Sequence, residues 1–168
     1  MSSTALVRRV PVAILALTGF QLGVWIQVAP RHFFDEFPGA GHHWVSAFGP
    51  YNEHLLRDFG AMNLALGVVA LVATFWFDRT IVRVACGAWF VFGVQHLAFH
   101  SMHLDMLDGA DRWASPAALV LVVGIAALGW FAAPPRAADT GAGSTRVDAA
   151  RVVAPQPPPM VPTRSEQA

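Results

Sequence analysis

Four long apolar runs alternate with short polar stretches along this chain. The runs cover residues 10–30, 59–77, 81–100 and 114–133. Each holds about twenty residues, and at about 1.5 Å per residue a helix of that length crosses the roughly 30 Å hydrocarbon core of a bilayer. The pattern predicts an all-α membrane protein, with a four-transmembrane-helix bundle over residues 1–133. The first run is too long for the apolar region of a typical signal peptide and no small-residue cleavage site follows it, so it reads as a retained helix. Arg8-Arg9 fits a twin-arginine signal poorly in the residues that come after it.

The gaps have their own character. Residues 31–52, RHFFDEFPGAGHHWVSAFGPYN, read as a loop with turn signals at Pro38-Gly39 and Gly49-Pro50. Its six aromatic residues suit a segment lying at headgroup level. Asn52 is placed to cap the second helix, and Glu53 in the first turn faces the positive end of the helix dipole. Asp78-Arg79-Thr80 is so short a link that the second and third spans must be antiparallel neighbours. Ser115-Pro116 reads as an N-cap followed by a first-turn proline, opening the fourth span. Residues 134–168 hold seven of the twelve prolines and few large apolar residues, which predicts a disordered tail.

Composition agrees with the pattern. The 168 residues are 55% hydrophobic and 13% charged, about half the charge expected of a soluble domain. Net charge is zero and no basic face forms, which argues against nucleic-acid binding. Cys86 is the only cysteine, so intrachain disulfides and thiolate clusters are excluded, and its setting in ACGA predicts a small buried thiol.

Arginine placement predicts the orientation. Arg8, Arg9, Arg79, Arg83 and the tail from Arg136 fall on one side, and Arg83 can snorkel to that surface. On the other side Arg31 and Arg57 face four acids, and Arg112 faces three. The positive-inside rule then puts both termini in the cytoplasm of a multi-pass plasma (inner) membrane protein.

On the opposite, outer side the polar residues gather. His96, His100 and His103 recur at offsets of four and seven, so they share one helix face. Glu53, His54, Arg57, Asp58 and Asn63 enter on the second span, Gln95 lies beside His96, and Gln27 ends the first span at a similar depth. Two readings of this cluster stand open. In one, His96, His100 and His103 bind a divalent metal such as zinc, completed by a carboxylate from Glu53, Asp58 or Asp105. In the other, His54, Arg57, Asn63, Gln95 and Gln27 form an interhelical hydrogen-bond network with the histidines, including an Asn63–His96 clasp and a Glu53–Arg57 pair. A desaturase would need several histidine boxes. A bis-His haem within the third span is disfavoured, since neighbouring imidazoles on one helix face cannot bind opposite faces of a macrocycle. His42 and His43 read as solvated loop residues. Gly19 and Gly23 form a small-residue face for close packing within the bundle or in a homo-oligomer, and Gln21, near mid-membrane, is expected to bond to a neighbouring helix.

The segments GPYNEHLLRDFGAMNLALG and QHLAFHSMHLD resemble uncharacterised four-helix integral membrane proteins of actinobacteria, and more distantly the DoxX-like superfamily. The resemblance covers residues 10–133. It implies the four-helix fold, and its DoxX-like side implies a redox or quinone-linked role. From the residues, the expected function is a non-enzymatic accessory or structural module in the lipid bilayer, partnered with a membrane complex or with itself. The alternative is a metal-dependent or quinone-linked redox enzyme using the outer cluster. A transporter is disfavoured by the absence of mid-membrane charge and of an internal repeat.

Overall fold

The computed structural model describes residues 3–135, with side chains from residue 6; the tail expected over 134–168 lies, beyond Pro135, outside the described residues. Four helices are long and apolar enough to cross a membrane: α1 (Ser3–Val28), α3 (Glu53–Phe75), α4 (Arg79–Met102) and α5 (Asp111–Ala132). They form the expected transmembrane bundle. A short helix α2 (Pro30–Glu36) follows α1, and Pro38–Gly39 (β1) pairs antiparallel with His42–His43 (β2) in a small hairpin. The α1–α3 and α4–α5 connections share one end of the bundle, the loop end; the α3–α4 connection lies at the opposite, link end.

The closest packing joins α1 to α3 and α4 to α5. Between bilayer-embedded helices no water drives association, so close backbone approach through small residues takes its place. Gly19 and Gly23 answer their open alternative here: they pack inside the bundle, on α3. A Cβ at Gly19 would come within 2.7 Å of the Gly67 Cα and the Asn63 carbonyl, and one at Gly23 within 2.5 Å of Leu64. Gly60 and Gly67 meet them from the other side. On the second pair, Gly129 lies against the Cys86 sulfur and Gly93 against Val123. Cys86 is buried, as its sequence setting predicts. Between the pairs, Trp89 fills the centre and its Nε1 donates to the Leu66 carbonyl at 3.2 Å.

Arginines secure the link end. Arg9 of α1 donates to the Thr74 carbonyl and, at 3.2 Å, to that of Phe75, which gives α3 a cationic cap where its dipole is negative. Arg79 donates to the Pro134 carbonyl at 3.3 Å, and Arg83 lies 5.2 Å over the Trp130 ring. Asp78 caps α4, accepting from the Thr80 and Ile81 amides.

Two elements differ from expectation. The stretch read as a loop opens with α2, where Pro30 takes the first helical position, Arg31 and Asp35 pair at 2.7 Å, and Phe33 and Phe34 are buried with Ile26 and Leu56. That ion pair and hydrogen bond to Asp35 hold the exposed Arg31 above its ordinary pKa. Helix α5 starts at Asp111, one turn before the Ser115-Pro116 signal, with Ala110 at the cap and Pro116 inside the helix. Proline there costs α5 one backbone hydrogen bond, and Ser115 is thereby carried into the helix with its hydroxyl free for another partner.

Candidate functional site at the loop end

Asn52 caps α3 as expected, its side-chain oxygen accepting from the Leu55 amide at 3.1 Å. In the first turns Arg57 pairs with Glu53 at 2.7 Å, while His54 reaches Asp58 at 3.5 Å on an exposed face. Arg57 also crosses to α1, donating from Nη1 to the Gln27 carbonyl at 3.0 Å. Gln27 reciprocates, its Nε2 donating to the Arg57 carbonyl at 2.7 Å. This two-way exchange joins α1 to α3.

The histidines do the same for α4 and α5. His96 and His100 approach through their Nε2 atoms at 3.1 Å, and His100 Nδ1 meets the Ser115 hydroxyl at 2.9 Å. Ser115 is only 2% exposed. An Nε2–Nε2 hydrogen bond needs one nitrogen to carry a proton and the other to be bare. Two neutral arrangements satisfy the line. If His100 Nδ1 donates to the Ser115 oxygen, His96 Nε2 donates to His100; if Ser115 donates, His100 Nε2 donates to His96. The line thus reverses by moving protons along it. Aromatic rings wall it: Phe59 and Phe92 lie 5.9 and 5.5 Å from the His96 ring, and Phe48 lies 4.7 Å from that of His100.

The remaining residues go elsewhere. The Asn63–His96 clasp does not form: Asn63 is wholly buried, its Nδ2 donates to the Phe59 carbonyl at 2.9 Å, and its Oδ1 has no partner among the described residues. The reason is direction. Asn63 bonds back along its own helix, while His96 turns along its own helix toward His100. His103 turns back too, donating from Nδ1 to the Phe99 carbonyl at 2.8 Å and stacking 4.3 Å from that ring. Gln95 is exposed, as is Gln21, which among the described residues makes no bond to a neighbouring helix, against expectation. Asp105 is exposed in the helical turn Leu104–Met106. His42 and His43 are engaged: His42 Nδ1 donates to Asp111 at 2.8 Å, fastening the hairpin to α5, and His43 donates to the Asp35 carbonyl.

Of the six metal-ligand candidates the structure brings His96 and His100 together. Among the described residues no group of three or more histidine, cysteine, aspartate or glutamate side chains is arranged to hold a metal. Sequence pattern missed Ser115, whose place before a proline reads as a cap. It also missed Phe48, which only tertiary folding sets against His100. No family model, curated protein or solved structure matches the chain.

Proposed function

We propose that this chain is a non-enzymatic structural or accessory module of the plasma (inner) membrane, with both termini cytoplasmic and the loop end outside. The observation that supports it is how the polar side chains of the loop end are spent. Gln27 with Arg57 and His100 with Ser115 each bond across a helix pair. Such bonds hold membrane helices in register and need no substrate. The bilayer is the module's first partner, and a membrane complex is the kind of assembly it would serve.

One geometric feature favours a second reading, a metal-dependent or quinone-linked redox enzyme of the kind the DoxX-like resemblance implies. The 3.1 Å between the two Nε2 atoms is near the roughly 3.3 Å that two imidazoles subtend on a tetrahedral zinc with bonds of about 2.0 Å. Ser115 on the other nitrogen of His100 resembles the oxygen partners that orient metal-bound histidines.

Metal analysis and melting of the purified full-length protein separate the two. A structural module holds no stoichiometric metal and melts at the same temperature with and without chelator. About one ion per chain, a chelator-induced fall in Tm, and loss of both in His100→Ala would overturn the structural reading, because metal bound only by the folded state stabilises it.

A further inference from the structure

The outward face of α1 carries Val7, Val10, Ile14, Leu17, Gln21, Val24 and Val28, all exposed. Their spacing alternates three and four residues over three heptads, the repeat with which two helices pack side by side. Val7, Ile14, Gln21 and Val28 fall on one register of that repeat; Val10, Leu17 and Val24 fall on the other. Apart from Gln21, the exposed large side chains of this stripe are all aliphatic. Those of the other three spans include Met62 and Phe75 on α3, Phe90 and Phe99 on α4, and Trp113 and Phe131 on α5. Any lipid-facing helix leaves some stripe uncovered. What sets this one apart is an exposed amide at mid-depth, whereas Gln95, the exposed amide of α4, lies nearer the loop end.

Gln21 lies at mid-membrane. Gly19 packs on Asn63 and Gly67, and Gly23 on Gly60 and Leu64, so Gln21 is level with the midpoint of α3 (Glu53–Phe75). A primary amide facing hydrocarbon at that depth is costly unless it finds a partner. The described residues offer none there, because α3 occupies the opposite, glycine-lined face. The amide carries both a donor and an acceptor, so an identical amide is its full complement. Copies of one chain inserted the same way are related by a two-fold axis along the membrane normal. Such an axis sets α1 parallel to its counterpart and brings each residue to its own copy at the same depth.

We propose that the protein forms a parallel homodimer through this face of α1, with Gln21 bonded to Gln21 of the second copy. The aliphatic side chains above and below pack register on register. The amide pair fixes the alignment, the role a single buried polar residue plays in coiled coils.

The test uses the full-length protein in lipid vesicles. Cysteines introduced singly by Leu17→Cys and Val24→Cys should form intermolecular disulfides on oxidation, while Val68→Cys, exposed on α3, should not. Native Cys86 is buried and stays in place. By energy transfer between labelled copies diluted into lipid, Gln21→Leu should weaken dimerisation about three- to twentyfold, the range measured for interhelical hydrogen bonds in membranes. Gln21→Asn, which keeps the amide, should retain most of it. A chain monomeric at every protein-to-lipid ratio would overturn the proposal. So would cross-links at residue 68 in place of 17 and 24, or Gln21→Leu dimers as tight as the native ones.

Discussion

Ser115 offers its hydroxyl two uses, capping a helix or bonding across to another, and the fold takes the second. The residue pattern gave the His96–His100 spacing and the Glu53–Arg57 pair, because both partners of each pair sit on one helix and the helical repeat alone decides that they meet. It put Gln27 and Arg57 in one interhelical network with the histidines but did not give the pairings Gln27–Arg57 and His100–Ser115, whose members are 30 and 15 residues apart. Nor could it foresee that Asn63 would bond to its own helix. A double-mutant cycle on His100→Ala and Ser115→Ala measures what the hydroxyl contributes. A coupling of about 0.6–1.7 kcal/mol is expected in the thermal stability of the protein in lipid or detergent. Additive effects of the two substitutions would show that this contact does not join α4 to α5.

At the scale of elements, hydropathy located all four spans, since a bilayer-crossing helix must be apolar along its whole length. The ends were harder to place. Helix α2 has too few residues for a periodic signal and owes its place to Phe33 and Phe34, buried in the cluster that also holds Ile26 and Leu56. The start of α5 was obscured by a serine–proline signal that fits a helix beginning as well as one already under way. What joins the elements is backbone proximity, and this can be tested at the α1–α3 seam. A methyl group at Gly19 has nowhere to go, because its neighbours at 2.7 Å are backbone atoms of α3. Gly19→Ala should therefore destabilise the protein by about 1–3 kcal/mol, the usual cost of overpacking. Gly124→Ala, whose Cβ meets nothing within 4 Å, should leave stability near the native value. Equal melting of the two variants and the native protein would mean that the seam is looser than its glycines require.

At the scale of the whole molecule, the four long helices among the described residues form two pairs, each fastened near both ends. Arg9 and the Gln27–Arg57 exchange hold α1 to α3. Arg83 over Trp130 and His100 with Ser115 hold α4 to α5, and Trp89 and the rings of Phe59 and Phe92 fill the space between the pairs. Arg9, Arg79 and Arg83, three of the arginines from which an orientation is read, thus also secure the link end, while the imidazoles and most of the acids among the described residues gather at the other end. Chemistry of opposite character at the two ends is what a fixed orientation in a membrane requires, and reporter fusions test that arrangement most directly. Fusions after Asp78 and after Ala133 should both report the cytoplasm, and a fusion near Gly41 should report the outside. Reporters after residues 78 and 133 that fall on opposite sides would contradict the four-span bundle, and a cytoplasmic signal near residue 41 would contradict its orientation.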